Sequence, residues 1–314
     1  MREPSRPLLL PLRMVVAADL APPPLLVCAT LKFNNVSEYL HMQKITENKP
    51  LRVVVVSIGR SGTSLFARIL DQVLGVDFGN EADHIPRNHN NPDGYFENAE
   101  FLAFNDRVLQ AAGGWVLVPP PLDFPSGLDA SRRRELAAEA TQLLAQYAGG
   151  KQAFGWKDPR LSFTLPIWRD ACPSLVPIIA FRKPFSVLSS IGAQLDRPVE
   201  SLTGLWFTYY QHVVAHTMGL PRYFVSFDQL LADPITVVRG MAHHLGRSTD
   251  DAALAAQLGN IVKPQQSRHS SAADSTRSQA VLDVQTTALY DFLEQSTKSG
   301  QQPDADKLRK LLEL

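Results

Sequence analysis

The first residues able to do chemistry are Gly59-Arg60-Ser61-Gly62-Thr63-Ser64, directly after the β-branched run Leu51-Arg52-Val53-Val54-Val55-Val56-Ser57. Apolar residues at Leu65, Ile69, Leu70, Val73 and Leu74 then recur at helical spacing. A strand that turns through a glycine loop into a helix aims several backbone N–H groups and the positive end of a helix dipole at one spot, a seat for phosphate. The ATPase form of such a loop, G-x-x-x-x-G-K-[ST], adds a lysine for the terminal phosphates. With Gly62 aligned on its second glycine, Ser57 stands at the first glycine and Thr63 at the lysine, which disfavours nucleoside triphosphate hydrolysis. The nearest cation is Arg60. An ordinary βα turn, with Gly62 supplying the bend, would explain the loop alone.

A second anion signal is Arg182-Lys183-Pro184, just past the apolar run Val176-Pro177-Ile178-Ile179-Ala180-Phe181. Ser190 lies eight residues beyond Arg182, about two turns into the following helix. If that helix folds back beside the strand end, guanidinium and hydroxyl converge on one phosphate, the arginine giving paired charge-assisted bonds.

These residues need a sheet to position them. Beyond the two runs above, β signals occur at residues 152–156, leading into Lys157-Asp158-Pro159-Arg160, and at residues 223–227, leading into Asp228-Gln229-Leu230-Leu231. Residues 101–112, 130–148 and 186–195 read as helices. The alternation predicts an α/β fold, a three-layer sandwich with a central, mostly parallel sheet, a P-loop-like phosphate loop and ligand chemistry at the carboxyl ends of the strands. Residues 80–98, punctuated by Pro86, Pro92 and Gly94, read as a loop over the site. Trp206 and Tyr209 could stack on a base, but aromatics at this spacing are more often core.

The chain has 314 residues, 45% hydrophobic and 20% charged, enough for a full-sized core and too apolar for disorder throughout. Its 31 Lys and Arg balance 31 Asp and Glu, which excludes a global nucleic-acid footprint. Two cysteines, Cys28 and Cys172, are too few for a disulfide framework or a multi-cysteine zinc site and fit a reducing compartment. Residues 1–48 show no period and are expected to be a flexible or peripheral extension, with Met14 and Met42 as alternative starts. Their apolar stretch is broken by Arg13, Asp19 and Pro22-Pro23-Pro24, a poor membrane anchor and a poor signal peptide. A domain over residues 49–298 and a tail or short helix over 299–314 complete the expected organisation.

Taken together, [RK]-[SG]-G-T-[ST] after the first strand, R-x-P-x-x-x-x-x-S after a later one, and Phe227-Asp228-Gln229-Leu230-Leu231-Ala232-Asp233-Pro234 resemble the sulfotransferase family. The resemblance implies 3′-phosphoadenosine 5′-phosphosulfate as donor, with no metal required. It implies that Arg60, Ser61, Gly62, Thr63 and Ser64 bind the 5′-phosphosulfate and that Arg182 and Ser190 bind the 3′-phosphate. A basic segment near the C-terminus matches more loosely, with Lys263, Arg268, His269 and Ser270 as candidates. The implied acceptor is a hydroxyl or amine on a carbohydrate, lipid or small metabolite, with no nucleic-acid partner. A cytoplasmic location is expected ahead of a Golgi-type anchor.

Lys157 matches a lysine that cytosolic members place beside the transferred group, and Arg60 would stabilise the leaving phosphate. Those members carry a histidine two residues after the lysine, where this chain has Pro159. Other branches take a glutamate from the region after the first helix, and Glu97 is the best match. His84 and His89 rival it as general base, since an unperturbed imidazole titrates near neutrality. Asp158 is expected to hold Lys157 or Arg160 in place. Two readings compete with a sulfotransferase: a degenerate P-loop kinase, and a non-catalytic binding protein on the same fold.

Overall fold

The computed structural model describes residues 49–87, 94–263 and 281–314. The expected N-terminal extension, His89, Arg268, His269 and Ser270 lie outside the described residues.

Four parallel strands form one sheet in the order β2-β1-β3-β4: β1 (Leu51–Val56), β2 (Ala153–Lys157), β3 (Leu175–Phe181) and β4 (Tyr223–Ser226). The valine run of β1 is legible as a central strand because both its faces are covered. Val54 and Val56 join one core cluster with Phe154, Trp156 and Ile179, while Val53 and Val55 join another with Ile178 and Val225. Pro177 is tolerated in β3 because it faces Val54 on one side and precedes the start of β4 pairing, at Ile178, on the other.

The second cluster is closed by α1 (Thr63–Gln72) together with α7 (Phe227–Ala232), α8 (Pro234–His244) and α9 (Asp251–Ile261). The first cluster takes α2 (Ala99–Ala111), α3 (Ala130–Ala148), α4 (Leu161–Ala171), α5 (Pro184–Leu195), α6 (Leu205–Thr217) and α10 (Val284–Thr297). Helices on both faces of a parallel sheet make the expected three-layer α/β/α sandwich. The C-terminal residues form α11 (Ala305–Leu311), whose Leu308, with the following Leu312, is fully buried in the first cluster.

Small corrections to element ends have local causes. Residue 227, expected at the end of β4, instead opens α7, because Ser226 caps that helix by accepting from the N–H of Gln229. The helix expected from 186 begins at Pro184, which is pre-set for a first helical turn. Trp206 is fully buried against Tyr210, with ring centroids 4.1 Å apart, so it is core rather than a platform for a base.

Candidate active site

A cleft of about 470 Å³ opens at the carboxyl ends of β1, β2 and β3, the place an α/β sheet reserves for ligands. Its lining includes Arg60, Gly62, Thr63, Ser64, Arg182 and Ser190, and also Glu97 and Lys157. Residues expected at three strand ends therefore do meet.

The glycine loop is held in a turn that side chains resist. Gly62 has φ +80°, and a Cβ there would lie 2.1 Å from Cδ2 of Phe227. Arg60 has φ 70°, a left-handed conformation that costs an L-residue roughly 1 kcal/mol and clusters at ligand-binding turns. The turn delivers Gly62 as the residue before α1, whose first N–H groups lie beyond reach of intrahelical carbonyls.

Arg182 joins this loop from β3. Its Nη1 donates to the Arg60 carbonyl at 3.3 Å, and its guanidinium lies over the Phe227 ring, 4.7 Å from the centroid. Phe227 thus packs against both Gly62 and Arg182. The two phosphate seats read separately from the sequence are one connected patch, because Arg60 Nε donates to Ser190 Oγ at 2.9 Å. Ser190 thus meets the glycine loop through Arg60, and both Arg182 and Ser190 line the cleft. Ser61 and Thr63 are buried within the loop.

This patch carries charge that no ion pair among the described residues neutralises. Neither Arg60 nor Arg182 forms an ion pair with a carboxylate among the described residues. Arg182 is buried, and its Nε has no hydrogen-bond partner there. Burial lowers its pKa; Asp228 partly restores it and Arg60 lowers it further. An orphaned buried N–H on a desolvated cation, beside a backbone cradle, fits a phosphate-bearing ligand.

At the other end of the cleft, Lys157 Nζ donates to Glu97 Oε1 at 2.7 Å. The side chains are only 3% and 9% exposed, which makes this a buried ion pair. Glu97 is presented by Phe96, at φ 58°, and by Asn98, whose side chain caps α2 by accepting from Glu100 and Phe101. The Glu97 carbonyl accepts from Ile85 N at 2.8 Å, tying the segment down. Burial raises the Glu97 pKa; Lys157 opposes the shift and Asp158 adds to it.

Asp158 holds Arg160 rather than Lys157: its Oδ1 accepts from Arg160 N and Nη1, both at 3.0 Å. Its Oδ2 accepts from Asn105 Nδ2, and Asn105 Oδ1 accepts from Thr164 and Trp168. His84 Nε2 is bonded to the Phe78 carbonyl at 2.8 Å, and His84 is not part of the cleft lining. Lys263 is exposed after α9.

Sequence reasoning missed Phe227, Asn105 and Asp106. The first sits in a motif the sequence displays, but its stacking role needs the fold; the other two are mid-helix polar residues with no distinguishing spacing. Among the described residues no group of three or more His, Cys, Asp or Glu is placed to hold a metal ion, and no helix is long and apolar enough to cross a membrane.

A glycine loop, a desolvated arginine and a buried lysine–glutamate pair thus share one cleft at the strand ends of a three-layer α/β protein, an arrangement with the chemistry to hold an anionic ligand. A sequence profile of the sulfotransferase family matches residues 50–251, and the chain belongs to that family. A search of curated proteins gave no match. Among solved structures, it is similar to the sulfotransferase domain of the Synechococcus PCC 7002 olefin synthase, at 16% identity over 78% of this chain and 95% of that one, TM-score 0.45. Sulfotransferase STF1 from Mycobacterium tuberculosis H37Rv matches at 14% identity over 78% and 80%, TM-score 0.40. Retinol dehydratase, solved with androsterone and the inactive cofactor PAP, matches at 14% over 78% and 76%, TM-score 0.40.

Proposed function

We propose that the chain is an active sulfotransferase, with a catalytic domain over residues 49–298, that transfers the sulfuryl group of 3′-phosphoadenosine 5′-phosphosulfate to a hydroxyl or amine. The observation that carries this reading is the unneutralised pair Arg60 and Arg182 beside the glycine cradle. We place the protein in the cytoplasm, in keeping with a chain of two cysteines of which Cys172 is a free thiol.

The donor, when bound, supplies a sulfuryl group already activated by its link to phosphate. Residues 60–64 hold the phosphosulfate end through loop N–H groups and the Arg60 guanidinium. Arg182 and Ser190 hold the 3′-phosphate, the arginine through its planar fork. Glu97 takes the acceptor's proton as the acceptor atom bonds to sulfur and the sulfur–oxygen bond to the 5′-phosphate breaks, leaving adenosine 3′,5′-bisphosphate. Lys157 keeps Glu97 oriented and opposes the rise in pKa that burial causes, favouring the carboxylate before transfer. Once Glu97 is protonated, the Lys157 charge is no longer opposed and is available to the departing phosphate.

Two measurements test the reading. Adenosine 3′,5′-bisphosphate should raise the Tm while ATP with Mg²⁺ does not, since the shift follows affinity; equal shifts would remove the donor assignment. With radiolabelled donor, Glu97→Gln should cut transfer about 1,000-fold while the bisphosphate still binds. Transfer at the wild-type rate would show that another group is the base.

A further inference from the structure

The cleft has a second wall of different chemistry. Trp115, Val116 and Leu117 line it from the connection between α2 and α3, together with Ile191 and Leu195 of α5 and Leu205 at the start of α6. Large apolar side chains are exposed here to an unusual degree: Trp115 is 51% and Leu195 37% exposed. Of the six exposed large hydrophobic residues among those described, Trp115 and Leu195 line the cleft, and Val118 and Leu122 follow Trp115 on the same connection outside the lining. Clustering of this kind marks a binding surface rather than scattered surface apolarity.

The wall is held in place. Trp115 and Val118 exchange backbone hydrogen bonds at 2.8 and 2.9 Å, closing a tight turn. Tyr209, buried in α6, donates its hydroxyl to the Val116 carbonyl at 2.6 Å. That bond fixes the turn to the core and uses up a backbone acceptor on the wall. The wall's own side chains are mainly aliphatic and indole, with Gln194 and the Arg60-bonded Ser190 as polar lining residues of α5.

This chemistry discriminates between acceptors. A sugar laid along the wall would lose water from several hydroxyls without gaining partners, at roughly 1–3 kcal/mol for each one buried. An apolar body gains about 25 cal/mol for every Å² it removes from water. Resting on the sulfuryl-transfer reading above, we infer that the acceptor is a small molecule carrying its hydroxyl or amine on an apolar body, aromatic or aliphatic. The wall holds that body, and the polar end reaches the side of the cleft where Glu97 and Lys157 sit.

The test separates this inference from the donor assignment. Calorimetric titrations without nucleotide compare 1-naphthol with methyl β-glucoside, and adenosine 3′,5′-bisphosphate is followed separately by its Tm shift. Naphthol should bind and the glucoside should not. Trp115→Asp and Leu195→Asp, both at exposed positions that spare the core, should each weaken naphthol about tenfold or more and leave the bisphosphate shift intact. With radiolabelled donor, label should pass to naphthol. Preferential binding of the glucoside, or naphthol binding indifferent to both variants, overturns the inference while a bisphosphate shift keeps the donor reading alive. Naphthol binding that both variants weaken, with no bisphosphate shift, supports the apolar site and sinks the sulfuryl-transfer reading instead.

Discussion

Arg160 and Arg182 both follow strand ends and both line the cleft, yet they face opposite surroundings. Arg160 donates to two carboxylates, Asp106 and Asp158. Burial alone would lower its pKa, but Asp158 and Asp106 outweigh burial and push it up. Arg182 has no carboxylate ion pair among the described residues, leaves Nε without a partner, and is pushed down by burial. Desolvating a charge without a partner costs free energy that folding alone does not recover. The first arginine is compensated within the scaffold; the second is not, which is what the proposed function assigns to an anion from outside.

The largest expected effect tests the compensated side. Arg160→Ala leaves Asp158, whose side chain is 1% exposed, with Asn105 as its remaining side-chain donor. Unfolding in urea should show a loss of about 3 kcal/mol, the scale for breaking a buried pair by removing one partner. A loss below about 1 kcal/mol would mean that the network is ornamental and the contrast with Arg182 fails.

Arg182→Ala should do the reverse. It removes an under-compensated buried charge along with its stacking on Phe227 and its hydrogen bond to the Arg60 carbonyl, contributions of opposite sign, so the stability of the ligand-free protein should move by less than about 1 kcal/mol. Affinity for adenosine 3′,5′-bisphosphate should fall about 100-fold, or about 2.7 kcal/mol. Arg182→Lys sharpens the point, because it keeps the charge and discards the fork; affinity should recover only in part. A variant that loses stability as Arg160→Ala does, with binding unchanged, would place Arg182 in the scaffold as well.

The same contrast explains what the sequence displays. Arg60, Gly62, Arg182 and Ser190 are legible because each follows a β-branched or apolar run that announces a strand, and the chain's own order then fixes their place at the sheet edge. Charge compensation has no such signature. Asp106 is 54 residues from Arg160, and Asn105 is 53 from Asp158, so only the packing of α2 against α4 reveals that one arginine is satisfied. Glu97 and Lys157, 60 residues apart, each stand out as chemical candidates, but their direct contact depends on the turn at Phe96 that brings the loop down onto β2. The pinning of the segment around Trp115 by Tyr209, 93 residues from Val116, likewise shows only in the fold.

The smallest effect concerns Glu97: it is paired with Lys157, yet burial, with a further contribution from the Asp158 charge, raises its pKa. Because the folded-state pKa lies above the unfolded one, the native state holds the proton more tightly. Stability from this group is fully present below the ordinary carboxylate range and is lost as pH rises through the raised value, with a slope of at most about 1.4 kcal/mol per pH unit. Transfer has the opposite dependence, rising tenfold per pH unit over the same window because only the carboxylate accepts a proton. Glu97→Gln leaves Lys157 opposite a neutral amide, which changes its baseline stability but removes the titration. Urea midpoints measured from pH 4 upward should therefore fall in the wild type and lose that component in the variant. Identical pH profiles would assign the shift to another group and leave Glu97 as compensated as the Asp158–Arg160 pair beside it.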